Sequence, residues 1–87
     1  MFGVEYSQVQ TIDGGDVVDV TDIIPGEEFE SEETALAYIK NWLEWKINFL
    51  TRMNVMVALK EHNIIEWTVT GVGITITEQL AVVELGD

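Results

Sequence analysis

Three groups of residues have side-chain types and spacings that could do chemistry. Aspartates stand at every third position from 13 to 22, a lone histidine stands at position 62, and two glycines flank Val72. Carboxylate oxygens bind calcium, an imidazole transfers protons near neutral pH, and a glycine-rich loop can hold a phosphate. Each of these activities also needs partner residues at defined spacings, which the neighbouring sequence either supplies or lacks.

The aspartates at 13, 16, 19 and 22 do not have the spacing of a calcium loop. Such a loop places its ligands at alternate positions around a glycine and ends in a bidentate glutamate. Residues 17–24 have a strand-like composition, and residues three apart in a strand lie about 10 Å apart and face opposite sides. We therefore predict no metal site.

His62 and the glycine segment lack the partners that catalysis or phosphate binding needs. His62 follows Lys60 and Glu61 in a polar cluster typical of the end of a helix, and spacing singles out no nucleophile or acid to complete a triad with it. Gly71-Val72-Gly73 lies between two predicted strands, without a following helix or an adjacent lysine, and is read as a turn. Pairs of carboxylates arise at random in so acidic a chain. The sequence thus predicts no enzyme, no catalytic residue and no cofactor.

The negative charge is concentrated in the N-terminal third of the chain. The formal net charge is −12, from 16 acids and four bases in 87 residues. Residues 1–33 hold ten acids and no base, whereas residues 34–62 hold all four bases. Nine acids lie between positions 13 and 33, namely Asp13, Asp16, Asp19, Asp22, Glu27, Glu28, Glu30, Glu32 and Glu33.

Length and composition predict a single folded domain over residues 1–87. Hydrophobic residues make up 47% of the chain, which is too large a share for a disordered protein. There is no cysteine, so packing or association must stabilise the fold, and a reducing cytoplasm is compatible. The longest aliphatic run, residues 55–59, is far shorter than the roughly 20 residues of a membrane span. We expect a soluble, unprocessed cytoplasmic protein, located in the host cytoplasm if it is viral.

Turn and capping residues define the N-terminal elements. Residues 2–24 read as a β-hairpin around the turn signal Asp13-Gly14-Gly15-Asp16. Pro25-Gly26 ends the hairpin, and an acidic connector leads to Ser31, a good N-cap. A helix over about residues 32–52 follows, with two glutamates in its first turn, beside the positive end of the helix dipole.

The C-terminal part is predicted to complete an antiparallel sheet. Beyond Met53 the apolar pattern of the helix slips, which indicates a break, followed by a short second helix over 54–62 or, alternatively, a strand over 55–59. Three strands are then predicted over 64–70, 73–77 and 80–85, with threonines on a solvated face. The result is an α+β fold in the order β-β-α-β-β-β, an antiparallel sheet of about five strands with the helix on one face.

The helix has an apolar arc of about 200°, roughly twice the width that packing on one sheet requires. An aliphatic stripe lies beside a narrow aromatic stripe formed by Tyr38, Trp42, Trp45 and Phe49. Two interpretations follow from this width. Either both stripes are core, or the aliphatic stripe packs on the sheet while the aromatic stripe contacts another chain, most simply in a homodimer.

The acidic run favours a basic protein partner. A dense array of carboxylates repels nucleic acid and anionic lipid, and it raises encounter rates with a basic surface. Many basic clefts belong to proteins that hold DNA or RNA, and carboxylates can occupy such a cleft in place of phosphates. In charge and size the chain is similar to small acidic, cysteine-free proteins of phages and mobile elements that act in this way. This predicts an inhibitor that mimics the charge of nucleic acid without binding nucleic acid or membrane itself.

Two other interpretations stay open. The acidic face could serve only to keep a hydrophobic domain in solution, although such a bias should not spare residues 34–62. Alternatively, the protein could be a self-associating structural subunit of a virion or other assembly that uses the aromatic stripe. Salt separates the main hypotheses, because binding to a basic partner weakens steeply with ionic strength whereas apolar self-association does not.

Overall fold

The structure is a computed structural model that describes residues 1–12, 16–24, 27–69 and 71–86. Its elements are β1 (Phe2–Ile12), β2 (Asp16–Ile23), α1 (Glu32–Arg52), β3 (Met56–Glu61), β4 (Ile64–Val69) and β5 (Ile74–Glu84). The five strands form one antiparallel sheet in the order β2-β1-β5-β4-β3. The predicted α+β class and element order are confirmed.

The N-terminal hairpin forms as predicted. β1 and β2 pair from Glu5 opposite Ile23 to Ile12 opposite Asp16, and the turn at residues 13–15 lies outside the described residues. The other edge of β1 pairs with β5 along its whole length, from Phe2 opposite Glu84. β1 is therefore an inner strand and β2 is an edge strand of the sheet.

The connector after β2 returns to the same edge of the sheet. The amide of Ile24 donates to the carbonyl of Val4 over 2.9 Å, which continues the pairing of the hairpin. Phe29 then forms an isolated bridge with Phe2, in which each amide donates to the other carbonyl over 2.8 Å. The acidic connector thus lies in line with β2, beside the end of β1.

Helix α1 has the bounds and the cap that the sequence predicts. The amide of Thr34 donates to the Ser31 hydroxyl oxygen over 3.2 Å, which satisfies one of the free amides of the first turn. The cap at the other end is Met53, whose amide donates to the Leu50 carbonyl, and Asn54 follows with a φ of 60°. Asparagine tolerates this left-handed conformation better than most residues, so the chain can turn sharply there.

The second helix predicted over 54–62 is wrong. The alternative, a strand over 55–59, is correct as to the type of element, although its bounds differ. Residues Met56–Glu61 form β3, which pairs with β4 from Met56 opposite Thr68 to Glu61 opposite Ile64, with an irregularity after Leu59. The helix-forming residues Ala58 to Glu61 favour a helix only weakly. Pairing with β4 supplies backbone hydrogen bonds and a cross-strand neighbour for Val57, and it prevails over this local preference.

The two strands predicted over 73–77 and 80–85 form one continuous strand. β5 runs from Ile74 to Glu84, and Glu78 and Gln79 in its middle pair with both β1 and β4. Pairing on both sides holds the backbone extended through these two polar residues. The sheet therefore keeps five strands, because β3 replaces the strand lost by this fusion.

The core lies between α1 and one face of the sheet. Its fully or nearly fully buried apolar residues are Val4, Ala35, Ile39, Leu43, Leu50, Ile65 and Leu80. The Cα radius of gyration is 14.2 Å, against about 12 Å for a compact domain of this length. The long pair β1 and β5 accounts for this extension, since α1 covers only part of it. No helix in the described residues combines the length and hydropathy that a bilayer span requires.

Candidate functional site

The acidic residues line one edge of the molecule. Of the nine acids between 13 and 33, six are exposed and Glu27 is half-buried, while Asp13 and the side chain of Asp16 lie outside the described residues. The exposed ones lie on β2, on the connector and in the first turn of α1, and we call this surface the acidic edge. The six exposed members are Asp19, Asp22, Glu28, Glu30, Glu32 and Glu33.

The acidic edge contains no internal neutralisation in the part of the chain that is described. Two ion pairs are found among the described residues. They join Lys46 to Glu78 over 3.5 Å and Lys60 to Glu66 over 3.7 Å. Neither pair involves a residue of the range 19–33. No carboxylate of the acidic edge therefore lies within 4.0 Å of a cationic group of the described residues.

The acids of β2 do not converge on one point. Asp22 lies opposite Tyr6 and Asp19 lies opposite Val9 in the pairing with β1, so the two aspartates face opposite sides of the sheet. Within the described ranges, no group of three or more acids or histidines is close enough to hold a metal ion. The periodicity of three therefore distributes charge over both faces of the edge strand.

The aromatic stripe of α1 is divided by the fold. Tyr38 and Trp42 are half-buried and pack against the core, whereas Trp45 and Phe49 are 59% and 45% exposed. The exposed rings stack on one another, with centroids 5.6 Å apart and planes inclined by 14°. Within one chain, two residues of the stripe thus lie at the margin of the core and two are exposed.

The half-buried part of this stripe forms an aromatic cleft with the hairpin. The cavity has a volume of about 290 Å³ and is lined by Tyr6, Asp22, Ile23, Ile24, Tyr38 and Trp42. We call it the aromatic cleft. It brings a carboxylate of the acidic edge together with three aromatic rings.

A second carboxylate acts on the aromatic cleft through space. Burial raises the pKa of the Tyr38 hydroxyl, and the negative charge of Glu27 raises it further. The ring of Phe29 lies 5.4 Å from that of Tyr38 at a tilt of 48°, which supports the outer wall of the cleft. The negative charge of Glu27 in the connector therefore acts on Tyr38 in the wall of the cleft.

A buried polar network lies beneath the cleft, and sequence analysis did not identify it. Glu78, on β5, is only 1% exposed, and its carboxylate accepts hydrogen bonds from the Tyr6 hydroxyl and, over 2.9 Å, from the Trp67 indole N–H. The Lys46 ammonium lies 3.5 Å from the same carboxylate. Two donors and a cation thus compensate one buried charge.

The network fixes two walls of the aromatic cleft. The side-chain amide of Gln8 donates through Nε2 to the Tyr6 hydroxyl oxygen over 2.8 Å. Burial, and next the hydrogen bond to Glu78, raise the pKa of Tyr6 above its ordinary value. The Lys46 ammonium lies 5.7 Å from the ring centroid of Trp42, within cation–π range. Tyr6 and Trp42 also contact each other, with centroids 5.8 Å apart.

Two features of the sequence could have indicated the network. Lys46 lies near the middle of the apolar arc of α1, at about 80° from Tyr38 on a helical wheel. Glu78 alternates with Ile76 and Leu80 on the inward face of β5. A lone charge at an apolar position predicts a buried partner of opposite sign.

The other residues considered for chemistry lie outside the aromatic cleft. His62 is exposed and borders a separate groove of about 310 Å³ that is lined by Leu43, Ile47 and Leu59 together with Lys40 and Glu44. Gly71 and Gly73 adopt φ values of 90° and 69° in the turn between β4 and β5, which confirms the predicted turn. Glycine adopts positive φ values without the steric cost of a β-carbon.

Comparison with family models, with curated proteins and with solved structures finds no match for the chain. The surface combines an acidic edge, whose carboxylates form no ion pair among the described residues, with an adjoining aromatic cleft that Asp22 helps to line. Carboxylates and the faces of aromatic rings both attract positively charged groups.

Proposed function

We propose that the protein is a non-enzymatic binding module that occupies a basic cleft of a nucleic-acid-handling protein in place of phosphates. The observation that supports this proposal is the acidic edge, whose carboxylates at residues 19–33 are mostly exposed and lack ion pairs among the described residues. Charges of one sign held close together by a fold repel each other, and a basic partner relieves this repulsion.

The position of the acidic edge suits this role. β2 is an edge strand, so one side of its backbone faces solvent, and its carboxylates discourage pairing with another strand. The connector and the first turn of α1 extend the same line of charge. A basic cleft that normally tracks a phosphate backbone would meet a row of carboxylates along this line.

Affinity capture from the source cell, followed by elution with a salt gradient, tests the proposal. The captured protein should be a basic protein that binds nucleic acid, and the complex should dissociate at moderate salt because screening weakens contacts between exposed charges. The complex should also exclude nucleic acid from the partner. Capture of an acidic protein, or a complex indifferent to salt, would contradict the proposal.

Matched charge variants locate the binding surface. Glu28→Gln with Glu30→Gln removes two exposed charges from the acidic edge, while Glu44→Gln with Glu61→Gln removes two exposed charges from α1 and β3. Both variants change the net charge equally. The first should weaken binding to the captured partner by about tenfold or more, and the second by less than about twofold. If both variants weakened binding equally, the charge of the acidic edge would serve solubility alone.

A second candidate function is a self-associating structural subunit of a virion or other assembly. The stacked and exposed pair Trp45 and Phe49 favours it, because exposed aromatic residues are enriched at protein interfaces. The simplest form is a homodimer in which this pair meets its symmetry mate. Self-association through these rings would be nearly indifferent to salt, which separates it from binding through the acidic edge.

A further inference from the structure

The aromatic cleft has the composition of a site for a cation. Tyr6, Tyr38 and Trp42 present three rings, and Asp22 places a carboxylate in the same wall. The face of an aromatic ring carries negative electrostatic potential and attracts an ammonium or guanidinium within about 6 Å of its centroid. The cleft adds the charge of Glu27, which acts on Tyr38.

We propose that the aromatic cleft binds one arginine side chain of the basic partner. This inference rests on the proposed function and specifies the contact that anchors the complex. A planar guanidinium can stack on an aromatic face and donate hydrogen bonds to a carboxylate at the same time, which an ammonium does less well. The volume of about 290 Å³ lies at the lower limit of small-molecule pockets, about 300 Å³, and suits a single side chain.

The walls of the cleft are held in place before any ligand arrives. The Tyr6 hydroxyl donates to the buried Glu78 and accepts from Gln8, so this ring is fixed from below. Trp42 contacts both the Tyr6 ring and the Lys46 ammonium. A site whose side chains are already ordered loses little conformational entropy on binding.

Glu78 offsets the repulsion between Lys46 and a second cation in the cleft. The Lys46 ammonium lies 3.5 Å from the Glu78 carboxylate, so the pair carries no net charge. Asp22 orients its carboxylate by accepting from the Ile23 amide through Oδ1 over 2.8 Å. The net charge around the cleft is therefore negative, from Asp22 and Glu27.

Titration with arginine peptides, followed by NMR of the tryptophan indole N–H signals, tests this site directly. The probe is a capped Gly-Arg-Gly peptide, and its citrulline counterpart is a neutral control of similar shape. The signal of Trp42 should shift and saturate with the arginine peptide only. The exposed Trp45 is an internal control, because nonspecific stacking would shift its signal first. A larger shift at Trp45, or an equal response to citrulline, would overturn the proposal.

Two aspartates of one strand provide the matched variants. Asp22→Asn alters the wall of the cleft while keeping an oxygen for the Ile23 amide, and Asp19→Asn makes the same change of charge on the other face of β2. We expect Asp22→Asn to weaken arginine binding about threefold to fivefold and Asp19→Asn to weaken it less than about 1.5-fold. Equal losses would overturn the site in favour of general charge attraction.

The test separates failure of the site from failure of the proposed function. If the captured basic partner binds in a salt-sensitive manner and the Trp42 signal does not shift with that partner or with the peptide, the arginine site is wrong and the acidic edge alone binds. If the arginine peptide shifts Trp42 but no basic partner binds through the acidic edge, the site is supported and the proposed function is wrong.

Discussion

The Lys46 ammonium of α1 lies 3.5 Å from the Glu78 carboxylate of β5, at the face where the helix packs on the sheet. The side chain of Glu78 is 2% exposed and that of Lys46 is 19% exposed. A carboxylate removed from water to this extent is stabilised only when donors and a cation surround it. Tyr6 and Trp67 supply the donors, so one charged contact connects the helix to β1, β4 and β5.

Removing the cation should destabilise the fold. Lys46→Met keeps the apolar stem but leaves the Glu78 charge without its cation, and we expect the free energy of unfolding to fall by about 3 kcal/mol in urea titrations. Adding Glu78→Gln should recover part of this loss, because it removes the uncompensated charge. Lys40→Met is the matched control, since Lys40 is exposed on the same helix, and it should change stability by less than about 0.5 kcal/mol. Equal effects of the two lysine variants would contradict this account.

Because of the raised pKa of Tyr6, the free energy of unfolding should decrease at alkaline pH. Burial and the bond to Glu78 raise the pKa of Tyr6, so the folded state keeps a proton that the unfolded chain releases above about pH 10. The stabilisation is therefore complete below pH 10 and is lost as the pH rises further. Tyr6→Phe should cost about 1–3 kcal/mol at pH 7. That difference should shrink by about 1.4 kcal/mol per pH unit above pH 10.

Tyr38→Phe is the control for this titration. The pKa of Tyr38 is also raised, first by burial and then by Glu27, but this hydroxyl is not a donor to the buried carboxylate of Glu78. We expect a cost below about 0.5 kcal/mol at pH 7 and a weaker pH dependence. Urea unfolding of the parent and both variants between pH 7 and about pH 11 measures the comparison. A Tyr6→Phe difference that stays constant over this range would be inconsistent with the raised pKa.

Salt should stabilise the folded protein. The exposed carboxylates of the acidic edge repel one another, and raising the ionic strength from about 0.01 M to about 0.15 M shortens the Debye length from about 30 Å to about 8 Å. The melting temperature of the parent should rise over this range. Glu28→Gln with Glu30→Gln should reduce the rise more than Glu44→Gln with Glu61→Gln does. A melting temperature that falls between low and moderate salt would show that attractive pairs dominate.

Elements specified by local signals could be predicted from the sequence. The Ser31 cap, two acids in the first turn and a sustained apolar period define α1, and the Asp-Gly-Gly-Asp turn signal defines the hairpin. The same reasoning gave a wrong helix over residues 54–62. Their weak helix propensity is overcome by the long-range pairing of β3 with β4. Helix propensity reflects only the residues of the segment itself, so it cannot account for pairing with a strand that comes later in the chain.

The candidate site was only partly accessible to sequence analysis. The sequence alone shows the density of acids at residues 13–33 and the aromatic stripe on α1. The aromatic cleft could not be predicted from the sequence. It depends on the hairpin, which places Asp22 opposite Tyr6, and on the packing of α1 beside these two residues. Lys46 and Glu78 are each unusual at an apolar position, but their contact depends on where α1 crosses β5.

The exposed rings of α1 test the proposed homodimer. Notably, Trp42 is half-buried against the core, whereas Trp45 is 59% exposed, so the two tryptophans should behave differently on truncation. Trp42→Ala should lower the free energy of unfolding by about 2–4 kcal/mol, because it leaves a cavity beside Tyr6. It is therefore unsuitable as a probe of association.

Trp45→Ala with Phe49→Ala is the informative variant. Both rings are exposed and stack on each other, so their removal should change the stability of a monomer by less than about 1 kcal/mol. In a symmetric dimer each protomer would bury about 150–250 Å² per ring, which contributes several kcal/mol to association at about 25 cal/mol per Å². We expect sedimentation to report a parent dimer at micromolar concentration, nearly indifferent to salt, and a folded monomer for the variant. A parent that sediments as a monomer at hundreds of micromolar would exclude this dimer and with it the structural-subunit function.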